Sequence, residues 1–313
     1  MKKLLIAAIA GVFMTATSAQ AQNMTIGTSQ QGSASFLTGS AVAKAISEAT
    51  DLNLRVVPEG GSEIILSRLH AGAMVFGIAT SPPLIQAWAG GEEYKGVKQE
   101  NVRVVAVLRT LRTAFMVRAD SDITSTADFA GKRIAEGFGR QRAAGLMQDA
   151  GLAAAGVDKA NLTLVPVAGG AKAVDDLVAG RLDITHFSLS SGKTREADAS
   201  VGIRFLTIPD TDEAKAAASE SMPGVFIETV EPSSAYPGFS KPINVIASKY
   251  LLVTNASADE DAVYTATKAL YENKESLVAA YPAMAEFDPE NMRMDLGVPY
   301  HPGALKFYAE IGQ

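Results

Sequence analysis

The sequence predicts an α/β protein of two similar lobes, each a mainly parallel sheet flanked by helices. Three observations carry that prediction. Short apolar runs alternate with helix-like stretches from Met24 to Ile208, which is the pattern of βαβ units. One plan occurs twice: strand, Gly turn, helix, strand, Gly-Gly turn, helix, short strand, polar loop. Gly60-Gly61-Ser62 and Gly169-Gly170 hold matching places in the two sets. The chain has 313 residues, too many for one ordinary core when domains centre on about 100–150 residues.

Thr25-Ile26-Gly27 opens the first set as a strand and leads through a polar turn into a helix over 40–50. Leu54-Arg55-Val56-Val57-Pro58 is the next strand. A helix over 62–71 follows, with Ile64, Ile65, Leu66 and Leu69 on an apolar stripe. Val75-Phe76-Gly77-Ile78-Ala79 is a buried strand ending in Thr80-Ser81-Pro82-Pro83, and the helix over 84–89 stops at Gly90-Gly91. Strands over 102–108 and 114–118 come next, then a turn-like segment over 119–130. The second set has strands at 133–135, 162–167 and 183–187, helices over 140–150 and 171–179, and a strand over 204–208. The tail adds extended segments at 243–247 and 251–254, broken at Ser248-Lys249-Tyr250, and helices over 259–271, 274–280 and 304–311. Residues 22–113 with 245–313 are expected to form one lobe and 114–244 the other. The chain would cross between them near 113–115 and 244–247.

The N-terminus reads as a secretory signal. Lys2-Lys3 is its charged start, 4–14 its apolar core and Ala19-Gln20-Ala21 its cleavage site. Residues 1–21 would be removed, and the mature chain is expected in the periplasm. Loss of the two lysines takes the formal net charge from −6 to −8, a poor match for nucleic acid or an anionic membrane. No later run of apolar residues is long enough to span a bilayer, so no membrane insertion is expected. There is no cysteine, which removes disulfides, zinc–thiolate sites and cysteine nucleophiles from consideration. A monomer is expected.

Catalytic signatures fail. Gly137-Phe138-Gly139 starts like a dinucleotide fingerprint, but its third glycine position is Arg142. Gly192-Lys193-Thr194 resembles a P-loop ending, but position 187 is Phe. His70, His186 and His301 stand alone, without a partner at metal-ligand spacing. No metal, cofactor or catalytic residue is expected. What remains is polar capture at strand carboxyl ends, where open parallel sheets bind ligands. The first loop offers Ser29, Gln30, Gln31, Ser33 and Phe36; Gly61 and Ser62 start the second helix, and Thr80 and Ser81 end the third strand. Arg109 follows the fourth strand. In the second set Phe138, Arg140, Gln141 and Arg142 open a helix, and Ser188 ends a strand. Helix-start N–H groups, hydroxyls and arginines suit a carboxylate. Each feature also has a plainer reading, as a helix cap for the serines or a solvated charge for the arginines.

Several motifs resemble the TAXI family, the solute-binding proteins of one branch of tripartite ATP-independent periplasmic (TRAP) transporters. They are Gly27-Thr28 with Gly32 and Gly39, Pro58-Glu59-Gly60-Gly61-Ser62, the run from Ser248 to Thr254, and Pro299-Tyr300-His301-Pro302-Gly303-Ala304 with Tyr308 and Gly312. The resemblance spans most of 24–313. It implies a type II periplasmic-binding-protein fold with two hinge crossings, closing on a small carboxylate such as glutamate, glutamine or 2-oxoglutarate. It also implies delivery to integral-membrane TRAP subunits. The chain departs from the pattern at Glu59, at Ser35-Phe36 and at Arg140-Gln141-Arg142-Ala143. Two arginines at the cleft would favour a dicarboxylate. The competing readings are a ligand-binding sensor that docks on a receptor kinase, and an enzyme built on the same fold with Glu59, Glu63 or Glu136 as its acid or base.

Overall fold

A computed structural model of the chain describes residues 22–139 and 141–313; the expected signal peptide lies outside them. Ten strands and ten α-helices alternate through most of the described chain. The first lobe opens with β1 (Gln22–Thr28), α1 (Ala34–Ala49), β2 (Leu52–Pro58), α2 (Ser62–His70), β3 (Phe76–Thr80) and α3 (Ser81–Ala89). β1 lies between β2 and β3 and is parallel to both, as right-handed βαβ units require. The apolar stripe of α2 is buried at Ile65, Leu66 and Leu69.

β4 (Val102–Arg118) then runs unbroken for 17 residues. The sequence suggested two strands with a polar break at 109–113. That break does not exist, because its polar side chains are buried with partners inside the sheet. Thr113 Oγ1, for example, donates to the Ile246 carbonyl at 3.2 Å. The second lobe follows as β5 (Arg133–Glu136), α4 (Arg142–Ala154), β6 (Thr163–Pro166), α5 (Gly170–Val178), β7 (Thr185–Ser188), α6 (Gly192–Val201), β8 (Ile203–Leu206), α7 (Asp212–Ser221) and β9 (Phe226–Val230). β5 and β6 are parallel, and an isolated parallel bridge joins Ile134 to Ile184 beside β7.

β10 (Ile243–Asn255) returns antiparallel to β4. It too is one strand, and the expected break at 248–250 is a register shift between Tyr250 and Leu251. Such a bulge bends a strand without ending it. One part of β10 pairs with β3 and the other with β9. Likewise β4 pairs with β10 through Thr113 and with β7 and β8 beyond it. Two long antiparallel strands therefore join the parallel βα units of both lobes, as the expected pair of hinge crossings requires. Phe115 marks the junction: fully buried, it packs edge-on against Phe129 and His186, each with ring centroids 5.0 Å away.

The tail, α8 (Glu260–Glu272), α9 (Lys274–Ala280) and α10 (Pro302–Glu310), packs back on the first lobe. His301 caps α10, its Nδ1 accepting from Gly303 N–H. A Cβ on Gly303 would lie 2.2 Å from the Glu260 carbonyl oxygen, so only glycine lets α10 approach α8 this closely. The Pro299 carbonyl and the His301 N–H bond to Val104 and close one edge of β4. The C-terminal motif thus works in packing, away from the cleft.

Candidate functional site

The carboxyl ends of β1, β3, β5 and β7 face one another, and the two lobes are shut over the space between. Several contacts cross the cleft. Lys193 N–H donates to the Gly32 carbonyl (3.2 Å). The Tyr281 hydroxyl donates to the Ser190 carbonyl (2.8 Å). Arg142 N–H donates to Glu63 Oε1 (2.7 Å), and its guanidinium pairs with Glu93 at 2.7 Å. Between the lobes lies a cavity of about 100 Å³.

Its walls come from both lobes and from the strands that join them. Ser29, Ser33, Ala34, Ser35, Gly61, Ser62 and Thr80 line it from the first lobe. Leu111, Thr113 and Tyr250 form its floor on β4 and β10. Gln141, Ala143, Ala144, Met147, His186, Phe187 and Ser188 close it from the second lobe.

Helix starts determine what such a space attracts, since the first-turn N–H groups have no helical acceptor and carry the positive end of the dipole. α1 begins six residues before the expected position 40, so the polar turn and the helix start coincide. Ser33 is its N-cap, accepting from Phe36 N–H at 3.1 Å. The N–H groups of Ala34 and Ser35 have no acceptor among the described residues, and neither does that of Ser62 at the start of α2. At the other helix starts around the cleft the protein's own groups already take part of the first turn. Glu63 takes Arg142 N–H and Ala143 N–H on α4. Gln141 Oε1 accepts from Gly170 N–H on α5 (2.7 Å). Ser191 Oγ and the Gly32 carbonyl serve α6. Prolines occupy the first turn of α3.

Ser29, Ser33, Gly61, Ser62, Thr80, Gln141 and Ser188 are brought together in the cavity wall. The other residues singled out from the sequence that the structure describes are not. Gln30 reaches toward the Gly169 turn, and Gln31 is exposed. Phe36 lies outside the wall, and Ser81 Oγ accepts from Lys249 N–H at 3.1 Å. Phe138, at φ 44°, is turned into the second-lobe core. Arg142 departs most from expectation, because Glu93 draws its guanidinium away from the cavity. Arg140 lies outside the described residues. Arg109 is buried behind Tyr250, whose ring it overlies at 4.9 Å. It donates to Thr38 Oγ1 (3.1 Å), the Thr110 carbonyl (3.0 Å) and the Tyr281 hydroxyl (3.3 Å). It has no carboxylate partner among the described residues. Arg112 binds Glu228 in bidentate fashion at 3.0 and 2.8 Å and Glu286 at 2.5 Å, as a structural tie.

Sequence reasoning set His186 aside as a lone structural histidine, and it missed Met147, Phe187, Leu111, Thr113 and Tyr250. His186 is 3% exposed and lines the cavity, and its ring nitrogens have no hydrogen-bond partner among the described residues. Burial pushes its pKa down from 6.5 to about 3, so the ring is neutral. Burial also raises the Glu63 carboxyl, partly countered by the backbone N–H groups it accepts from. The histidine shift has a readable consequence. Between about pH 6.5 and 3 the unfolded chain holds a proton at this position that the folded chain refuses. Its contribution to stability is complete above 6.5 and is lost as pH falls through that window. His301 shifts in the same direction, also through burial. The melting temperature should therefore fall between pH 7 and 5, and His186→Gln should flatten that fall. An unchanged slope in the variant would contradict the assignment.

This geometry, a cavity closed between two α/β lobes joined by two long strands, is that of periplasmic binding proteins. Solved structures share the fold at low sequence identity. The periplasmic binding protein BugD matches with a TM-score of 0.60 at 13% identity, over 92% of each chain. MatC from Rhodopseudomonas palustris, with bound malate, matches at 0.60 and 12% identity, over 92% of this chain and 96% of that one. An adipate-bound protein from R. palustris matches at 0.57 and 17% identity, over 92% and 93%. The chain itself belongs to the NMT1-like family, whose model matches residues 26–312.

Proposed function

We propose that this protein is a periplasmic solute-binding protein that captures a small carboxylate between its lobes and presents the closed form to a membrane transporter. The observation that carries the reading is the shut cavity, with unoccupied N–H groups of α1 and α2 and serine and threonine hydroxyls in its wall. Such donors hold an oxyanion without a fixed counter-charge. The buried, carboxylate-free Arg109 supports it by keeping the floor of the site positive. Malate and adipate in two proteins of this fold support it further. Ligand favours closure because only the shut form surrounds it, so its binding energy shifts the population toward that form.

The transporter is proposed to be a tripartite, ion-gradient-driven system of the TRAP type, in keeping with the TAXI-like motifs, with residues 1–21 serving as the export signal. The domain boundaries at 113/114 and 244/245 belong to the same proposal. The dicarboxylate preference expected from two cleft arginines loses its basis with Arg142 turned to Glu93. Native mass spectrometry of the purified mature protein tests the binding reading. A co-purified carboxylate is expected, and the Ser33→Ala/Ser62→Ala double variant should retain at most about a tenth of it, two hydrogen bonds to a charged group being worth about 1.5 kcal/mol or more each. A co-purified cation or neutral lipid, or full retention in the double variant, would refute it.

A further inference from the structure

We propose that the ligand is a short monocarboxylate with an uncharged remainder, its carboxylate held at the starts of α1 and α2 and its remainder lying against the second lobe. This rests on the carboxylate reading and narrows it.

The cleft has one anion-binding pole. Of the second-lobe and first-lobe helix starts that line it, those of α1 and α2 keep N–H groups without an acceptor among the described residues, and both belong to the first lobe. On the opposite wall the α4 start is filled by the protein's own carboxylate, Glu63. A second ligand carboxylate directed there would find its donors taken and a buried negative charge in place. No arginine or lysine lines the cavity among the described residues, and Arg109 lies behind Tyr250 on the floor, not at this wall.

The second-lobe wall is suited to an uncharged group. Ala143, Ala144, Met147 and Phe187 give it apolar surface. His186 adds one neutral ring, buried, facing the cavity and without a partner. A neutral imidazole can donate to a keto or hydroxyl oxygen through one nitrogen, or accept from a hydroxyl through the other. It offers no charge to a second carboxylate.

Size points the same way. The cavity is about 100 Å³. A 150 Å³ cavity accommodates benzene, roughly 25 Å³ per heavy atom, so this one takes about four heavy atoms. Propionate, pyruvate and lactate come much closer to that figure than malate or adipate.

Titration calorimetry on the mature protein separates the possibilities. The probes are propionate, pyruvate, lactate, malonate, malate, adipate and the neutral lactamide. At least one of the three monocarboxylates is expected to bind about tenfold or more tighter than every dicarboxylate, with lactamide not binding. Malonate is close to lactate in size, so that pair reads charge, while malonate against adipate reads length. In Glu63→Gln, which keeps an acceptor for Arg142 N–H, the malonate-to-lactate affinity ratio should rise by about fivefold or more. A dicarboxylate that outbinds all three monocarboxylates overturns this inference and leaves the carboxylate reading standing. Lactamide binding as tightly as lactate, or no binding by any carboxylate, overturns both.

Discussion

Ala144→Leu should abolish ligand binding in a protein that still folds. Ala144 is near the start of α4 and its methyl faces the cavity. Leucine adds three heavy atoms, and at roughly 25 Å³ each they fill about three quarters of the space. Because they enter a void, the stability cost should lie at the low end of the 1–3 kcal/mol typical of overpacking, about 1 kcal/mol. Affinity for a carboxylate the wild type binds should fall by about a hundredfold or more, because the shut form can no longer enclose it. Calorimetry for binding and a urea melt for stability check the two halves. Affinity within threefold of wild type would mean that the ligand sits elsewhere.

Phe115→Ala should have the largest effect on stability. The ring is fully buried where β4 leaves the first lobe, between Phe129 and His186. Deleting it removes two edge-on aromatic contacts and leaves a void, for a cost of about 3–5 kcal/mol. It also admits water beside His186, whose depressed pKa depends on burial alone. An imidazole pKa moving up toward 6.5, followed by NMR, should accompany the loss of stability. A loss below about 1 kcal/mol would show that the junction relaxes, and would weaken the view that β4 is a rigid crossing.

Much of this was legible in the sequence, and the failures have physical causes. Alternating βα units and paired Gly-Gly turns gave the architecture because each element carries its own period or turn signal. α6 and α7 escaped notice because they bury little beyond Thr194, Ala197, Ala214 and Ala218, and alanine leaves almost no apolar stripe. Thr211 capping the alanine-rich α7 was the signal available there. The continuity of β4 and β10 was hidden because polar side chains such as Arg109 and Thr113 read as loop until their partners on distant segments are known.

The site divides along the same line. The first-lobe serines and Ser62 could be found locally, since a cap and a helix start are local features. The arginines could not. Glu93 claims Arg142, and Glu228 and Glu286 claim Arg112, through contacts that no local pattern encodes. His186, Met147 and Tyr250 join one cavity only when the lobes are shut. Ser33 shows that two readings need not compete: it caps α1 and lines the cavity at once.

A crystal structure of the protein with its co-purified or best-binding carboxylate tests the central claim most directly. The account predicts shut lobes and a carboxylate within about 3.2 Å of the Ala34, Ser35 or Ser62 N–H groups, with the rest of the ligand toward Met147 and His186. A carboxylate bound instead to the Arg142 guanidinium, or anywhere outside the space between the lobes, would contradict it.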